Sequence, residues 1–396
     1  MHRSDSGANL TALRGHNTAL VLGLLRDAGE GGVSRLELAG RTGLTPQAVS
    51  KITARLRADG FAADAGRRAS TGGKPRTVLR LVPDAGHAIG LHIDRDELIA
   101  VRTDLAGRTV ASRRAPLDFG AGAAEVVETA ARAAEALMGP AGEGRAVLGV
   151  GVAAPGPLDH RDGVLGRITG FPRWDGFPLR AALAARLALP VVVDKDTNAA
   201  ALGLALGAPG TGVRHPDSAS DPDPAPGPGP VSDSFAYLHL GTGLGAGLVL
   251  GGGVYRGERT AAGEFGHQVV QLDGPPCGCG RRGCVEALCL AAVAAGDPAR
   301  AARLLGVGAA NLVQLLDIGR VLLGGRTLLT AADTYVRGVG AVLAEDAARA
   351  NGRTVPVALA PGGERTVVEG AAHLVLAPLF GRSGGAFPAP PPTRSD

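Results

Sequence analysis

Four cysteines, Cys277, Cys279, Cys284 and Cys289, fall within 13 residues of a 396-residue chain, and His267 stands ten residues before the first of them. Disulfides of a small secreted domain staple distant segments together. A tight thiol cluster in a large chain without an apolar leader reads instead as a metal site in a reducing cytoplasm. One imidazole and three thiolates, from His267, Cys277, Cys279 and Cys284, form a common tetrahedral zinc set, and Gly278, Gly280 and Gly283 let the loop close round an ion. Cys289 leaves a second set open, of four thiolates with His267 free.

A second chemistry is carried by charge. The net charge of +4 is bland, but residues 1–80 hold 13 Lys+Arg against 6 Asp+Glu, and the other 316 hold 28 against 31. The balance is +7 in the first fifth and −3 in the rest, which suggests a polyanion-binding end joined to a near-neutral body. Hydrophobic residues make up 45% of the chain, which excludes a wholly disordered protein. No run of about 18 apolar residues occurs, so no membrane span is expected.

The elements that must position the basic residues lie between 17 and 82. Residues 17–60 predict three helices. The first is capped by Asn17 and carries Leu20, Leu24 and Leu25 on its apolar face; the second opens with the capping box Ser34-Arg35-Leu36-Glu37. After the turn Thr42-Gly43-Leu44, Thr45 caps a third helix with Pro46 at its first position. Two short helices across a three-residue turn with Gly make a helix-turn-helix, whose second helix enters the major groove of DNA. Val49, Ile52 and Leu56 form its inner stripe, while Gln47 and Ser50 suit base edges and Lys51 and Arg55 suit phosphates or guanine. A β-ribbon wing follows, bearing Arg67, Arg68, Lys74 and Arg76.

From 86 to 381 the pattern alternates. Three short strands (88–93, 98–103, 109–115) precede a helix over 123–137, a buried strand over 147–153, a helix over 179–187, a strand over 190–194 and a helix over 199–206. Strands over 235–240 and 245–250 open a second series, with helices over 299–316, 328–348 and 368–377 and strands over 320–323 and 355–359. Strand triplets followed by alternating helices and strands predict a layered α/β body in two lobes. Residues 208–232, with seven prolines, read as a flexible surface loop, and 382–396 as a disordered tail.

With these residues in view, the chain resembles the ROK family (repressors, open reading frames and sugar kinases). The family's G-E-x-G-H followed by C-x-C-G-x-x-G-C-x-E matches residues 263–286, and Asp194-Lys195-Asp196-Thr197-Asn198-Ala199-Ala200-Ala201 resembles its N-D-x-N-A-A-A segment. Pro155-Gly156-Pro157-Leu158-Asp159 resembles its P-G-P-x-D turn. Gly241–Gly247 resembles its second phosphate-binding turn, and Gly324-Gly325 its late glycine pair near the adenosine. The resemblance covers most of residues 10–380. It implies a winged helix-turn-helix followed by an actin-like, ribonuclease-H-like sugar-kinase fold. It also implies that Asp196 matches the kinases' general base, that Glu264, His267 and Glu286 match sugar contacts, that Asn198 is structural or near the sugar, and that His267, Cys277, Cys279 and Cys284 hold zinc.

Three departures from the family pattern bear on function. The kinases' first phosphate turn, D-x-G-G-T, aligns with His92-Ile93-Asp94-Arg95-Asp96, so side chains fill the space where backbone amides would meet phosphates. A carboxylate about 4 Å from a phosphate costs on the order of 4 kcal/mol per unit charge at an effective dielectric near 20. ATP is therefore not expected to bind, no catalytic residue is expected, and Asp196 reads as a vestigial base. Lys195 stands where the family has an Asn sugar contact; it can pair with Asp194 or Asp196, or receive an anionic ligand. About a dozen residues separate Glu286 from the helix near Ala299, fewer than in the family, where that region helps form the oligomer contact.

Together these features predict a transcription regulator of carbohydrate-metabolism genes, in its commonest form a repressor. It would be a cytoplasmic homodimer or homotetramer that binds a double-stranded DNA operator through residues 10–82. A sugar or sugar-phosphate effector would be held by residues 86–381, around Lys195, Asp196, Asn198, Glu264, His267 and Glu286, and zinc would serve structurally. The rival reading is an ATP-dependent sugar kinase of the same family.

Overall fold

The protein is described by a computed structural model over residues 15–70, 73–139, 146–207, 234–350 and 352–382. The Pro-rich segment 208–232, and the expected tail apart from Arg382, lie outside the described residues.

The N-terminal part is three helices and a hairpin, built on local signals. Helix α1 (His16–Asp27) is followed by the short strand β1 (Val33–Ser34). Helix α2 (Arg35–Thr42) carries its capping box in full: Glu37 N donates to Ser34 Oγ at 3.3 Å and Ser34 N to Glu37 Oε2 at 2.7 Å. It ends on Gly43 at φ 68°, where a left-handed residue costs glycine nothing. Helix α3 (Pro46–Ala58) is capped by Thr45, whose Oγ1 accepts from Ala48 N at 3.2 Å. Strands β2 (Ala62–Ser70) and β3 (Gly73–Leu81) form the hairpin, and β1 adds to β3 through Val33 and Leu79.

Two details of this region correct the sequence reading. Asn17 does not cap α1; the helix begins at His16 behind Gly15, and no side chain caps it. Its buried face is Val21, Leu22 and Leu25, with Leu20 and Leu24 only partly covered, because α1 faces the body as well as its own helices. On α3, Ile52 is half-buried and Thr53 takes the inner position, donating to Val49 O at 2.8 Å and accepting from Arg35 Nε at 3.3 Å.

The body holds two five-stranded sheets of the same design. In the first, β4 (His87–Ile93), β5 (Glu97–Asp104) and β6 (Thr109–Pro116) form an antiparallel meander. After helix α4 (Ala123–Met138), β7 (Val147–Ala154) pairs parallel with β4. The small ladder β8 (Leu158–Asp159) and β9 (Val164–Leu165) and helix α5 (Leu179–Leu187) follow, then β10 (Val191–Lys195), parallel to β7. Helix α6 (Asp196–Leu206) leads to the second sheet, where β11 (Phe235–Leu240), β12 (Leu244–Leu250) and β13 (Gly253–Tyr255) are again an antiparallel meander. Helices α7 (Val285–Ala294) and α8 (Pro298–Leu316) precede β14 (Val321–Gly324), parallel to β11. The chain ends through α9 (Arg326–Leu329), α10 (Ala332–Arg349), β15 (Val357–Leu359) and α11 (Thr366–Leu376).

Each sheet thus runs three antiparallel strands and two parallel ones in one spatial order, β6-β5-β4-β7-β10 and β13-β12-β11-β14-β15. Helices α4 and α5 cover the outer face of the first sheet; α7, α8 and α10 cover that of the second. Between the sheets lie α11 and α6, in contact along their length, so α11 is buried on nearly every side. They cross at Gly370, where a side chain would collide with the Ala199 carbonyl, so the two helices are held as one unit. The two-lobed α/β architecture is the one expected. Helix α7, which begins inside the cysteine loop, was not anticipated, and the predicted helix over 328–348 is two, α9 and α10.

The N-terminal part and the body share one core. Val21, Leu22 and Leu25 of α1 and Leu79 of β3 pack with Ala88, Ile99, Val101, Val375, Leu379 and Phe380. Arg26 is buried here, its guanidinium 4.7 Å from the Phe380 ring centroid and its Nη2 donating to Leu206 O at 3.0 Å. Asp27 pairs with Arg382 at 3.0 Å.

Candidate functional site

The cysteine loop brings its donors together. The donor atoms of His267, Cys277, Cys279 and Cys284 all lie within 4.8 Å of one another. Two thiolates each about 2.3 Å from a tetrahedral ion stand about 3.8 Å apart. Cys279 Sγ and Cys284 Sγ are 3.7 Å apart, and Cys277 Sγ is 3.7 Å from His267 Nδ1. The spacing and the donor chemistry fit a tetrahedral metal. Cys289 is elsewhere: its Sγ donates to Ala301 O at 3.5 Å in the core under α8, and burial pushes its thiol up to about 12. Of the two sets open in the sequence, the one with His267 is the one assembled.

The same loop sets the sugar-site candidates. Cys284 is the residue before α7, so Glu286 lies in that helix's first turn, where its carboxylate is favoured. Glu286 Oε2 accepts from Leu244 N at 2.8 Å and so ties the metal loop to the glycine turn before β12. His267 sits in the short 3-10 turn Phe265–His267, directly after Glu264.

Across the cleft, β10 passes into α6 at Lys195 and Asp196. Lys195 pairs with neither Asp194 nor Asp196, as the sequence had suggested. Its buried side chain reaches the other lobe, donating to Glu264 Oε1 at 3.0 Å and to Ala262 O at 2.6 Å. Asp194 is taken by Arg256 Nε at 2.7 Å and by Asn198 Nδ2 at 2.9 Å, so Asn198 is a buried structural residue at its amide nitrogen. Asp196 accepts from Thr197 N at 2.6 Å at the start of α6. Lys195 and Glu264 therefore neutralise each other, leaving Lys195 no free charge for an anion.

The other end of the cleft is closed by side chains. Asp94, in the turn between β4 and β5, accepts from Thr242 Oγ1 at 3.0 Å, across to the turn between β11 and β12. Arg326, the first residue of α9, is 2.8 Å from Asp96 and 3.8 Å from Asp94. Burial works against the Asp94 anion, but His92, the Arg95 amide, Arg326 and Thr242 hold its carboxyl below the usual range. The bond to Asp96 holds the Arg326 guanidinium above its usual value. Behind Asp94, burial lowers the pKa of His92, and the Asp94 and Asp196 carboxylates oppose that shift. Asp94 faces the turn between β11 and β12, and both it and Asp96 are already paired.

Arg326, Arg256 and Arg26 were not singled out from sequence. One signal existed for Arg326: a cation in the first turn of a helix opposes the helix dipole and needs another reason to be there.

On the N-terminal part, Gln47, Ser50, Lys51 and Arg55 of α3 are exposed along one face, while Thr45 is engaged as a cap and Arg55 lies 3.8 Å from Asp59. An open groove between α1 and α3 is lined by His16, Asn17, Lys51 and Arg55. On the hairpin, Arg68 lies opposite Arg76 in register and Arg76 is exposed. The side chains of Arg67, Arg68 and Lys74 lie outside the described residues.

Among the described residues, no helix is long and apolar enough to cross a membrane. The ROK family profile matches residues 88–213 and 231–295. A ROK hexokinase from Thermus thermophilus is 31% identical over 72% of this chain and 96% of its own, with a TM-score of 0.56. A ROK family transcriptional regulator, homologous to the E. coli MLC protein, superposes over 93% of this chain and 98% of its own, with a TM-score of 0.69 at 18% identity. The xylose repressor of Caldicellulosiruptor bescii is 23% identical over 70% of this chain and 64% of its own. The chain spans about three fifths of the length of the curated repressors it matches. The cysteine signature, the paired lobes and these likenesses agree: the chain belongs to the ROK family.

Proposed function

We propose that the chain is a sugar-responsive transcription regulator, in its simplest form a repressor of carbohydrate-metabolism genes. Residues 10–82 are its operator-reading head and residues 86–381 its sensing body. Gln47 and Ser50 read base edges. Lys51, Arg55, Arg67, Arg68, Lys74 and Arg76 hold phosphates, and Thr45 fixes the entry of α3. The effector is a sugar or sugar derivative held between the lobes by Asp196, Glu264, His267 and Glu286. Zinc on His267, Cys277, Cys279 and Cys284 supplies structural cross-linking there, keeping His267 and Glu286 in place.

The observation that carries this reading is the shared core. Helix α6 starts at Asp196, beside the sugar candidates, and ends at Leu206, whose carbonyl accepts from Arg26 of α1. Its companion α11 continues through the turn 377–380 to Phe380, beneath the same arginine. A ligand that favours one lobe arrangement thereby biases the head's arrangement, and a dimer with the wrong half-site spacing releases the operator. In this reading the protein works as a homodimer or homotetramer.

A kinase reading is favoured by Asp196 and by the likeness to the Thermus hexokinase. The occupied phosphate turn speaks against it, because nucleotide would have to displace Asp94 and Asp96 from Thr242 and Arg326. Purified protein incubated with ATP, magnesium and a hexose panel is expected to give no sugar phosphate. Turnover that disappears in Asp196→Asn would overturn the sensing reading.

A further inference from the structure

We propose that Arg95 forms an anion subsite in the cleft and that the effector is an anionic sugar, a phosphate ester or a sugar carboxylate. The proposal rests on the sugar-sensing reading and deepens it. Arg95 stands at the second glycine position of the lost phosphate turn, and its backbone is fixed at both ends. Its N–H donates to Asp94 Oδ1 at 2.7 Å, and its carbonyl accepts from Phe119 N at 3.0 Å. The guanidinium is 5.8 Å from the centroid of the Phe171 ring. It extends across the cleft toward the second turn: a Cβ on Gly243 would lie 3.9 Å from Arg95 Nη2 and 3.2 Å from Glu286 Oε2. The arginine therefore reaches the sugar end of the cleft, next to a carboxylate placed for sugar hydroxyls, and not the end that Arg326 closes.

The charges of the cleft single this arginine out. Among the described residues, Lys195 is paired with Glu264, Arg256 with Asp194, and Arg326 with Asp96 and Asp94. Asp94 and Asp96, the anions nearest to Arg95 in sequence, are both held by Arg326, and Glu286 accepts an amide of the second turn. Arg95 alone of these four cations has no carboxylate partner. A half-buried guanidinium presented between an aromatic face and a glycine backbone offers a planar fork of donors, which suits a phosphate or a carboxylate on a sugar.

The test is isothermal titration calorimetry of the full chain with glucose, mannose and galactose, their 6-phosphates and their uronic acids. Wild type, Arg95→Gln and Arg95→Lys are compared. One anionic form is expected to bind about 10- to 100-fold more tightly than its parent sugar. In Arg95→Gln that advantage should vanish while affinity for the neutral parent stays unchanged, and Arg95→Lys should recover part of it. The phosphate and uronate arms separate the two sources of charge. Neutral sugars binding as tightly as their anions, or Arg95→Gln weakening both equally, would overturn the subsite and leave the sugar-sensing reading standing. Binding of no sugar by wild type that still binds DNA would overturn both.

Discussion

The two turns that face each other across the cleft differ in what they retain. The turn between β11 and β12 is built on glycines, Gly241 and Gly243 with Gly245 and Gly247 following in β12, and Glu286 at the end of the cysteine loop holds its backbone at Leu244. The turn between β4 and β5 instead carries Asp94, Arg95 and Asp96, and Arg326 and Thr242 hold the two carboxylates. The glycine turn has structural work, joining two strands and seating the Glu286 carboxylate. The other turn is filled with an ion pair between Arg326 and the carboxylates of Asp94 and Asp96. One fold can therefore hold two facing turns of opposite chemistry, one of open glycine backbone and one of paired charge.

Breaking the side that holds the glycine turn should have the largest effect. Cys279→Ser, or removal of metal with a chelator, frees the loop that positions His267 and Glu286. Calorimetry should show the melting temperature fall by roughly 10 °C, and sugar response should fall with it. An unchanged melting point would mean the cluster carries no structural metal.

The junction between body and head comes next, through pH. Burial depresses His373 on α11 to about 4 from an ordinary 6.5, and Arg26 nearby adds to the shift. The fold selects the neutral ring, so the unfolded chain binds a proton first as pH falls. Stability present above pH 6.5 is lost progressively toward pH 4, on the order of 3 kcal/mol in total. Urea unfolding of wild type and His373→Gln between pH 7.5 and 4 should show a steeper loss of stability in wild type; parallel curves would contradict it.

Arg26→Met removes the donor to Leu206 O and leaves a buried carbonyl unpaired, at a cost of about 1–3 kcal/mol. Calorimetry should show sugar binding kept, and fluorescence anisotropy should show DNA binding kept, with their coupling reduced. Coupling at the wild-type level would mean the route lies elsewhere.

The rewritten turn offers a gain rather than a loss. Asp94→Asn with Asp96→Asn removes two negative charges from the phosphate position, so equilibrium dialysis should show ATP affinity rising by at least about tenfold. Unchanged affinity would mean the carboxylates are not what excludes nucleotide. The smallest effect is expected on the head. Lys51→Ala should weaken DNA binding a few-fold on every sequence and lower the slope of log affinity against log salt by about one. An unaltered slope would remove Lys51 from the DNA contact.

What the sequence revealed follows physical range. Strands such as Val147–Ala154 and Phe235–Leu240 were legible as apolar runs, and α2 and α3 through caps three residues away. The break between α9 and α10 was not, because no Gly or Pro marks Thr330-Ala331. Helix α7 was hidden because its start was absorbed into the cysteine motif and its Ala- and Leu-rich body shows little periodicity. In the site, the cluster of His267, Cys277, Cys279 and Cys284 was legible because all four lie within 18 residues. The Lys195–Glu264 and Arg326–Asp96 pairs, 69 and 230 residues apart, were not, because nothing local specifies a partner brought in by sheet topology. Arg26 was counted among the basic residues of a DNA-binding end, although burial makes it part of the joint.

We propose that the cleft senses a sugar for the head. It is tested most directly by anisotropy of a labelled operator fragment, selected by the protein from genomic DNA, titrated with and without neutral sugars and their phosphates and acids. One ligand is expected to change operator affinity by tenfold or more, and Arg26→Met to abolish the change without abolishing operator binding. Operator affinity indifferent to every ligand that the body is shown to bind would contradict it.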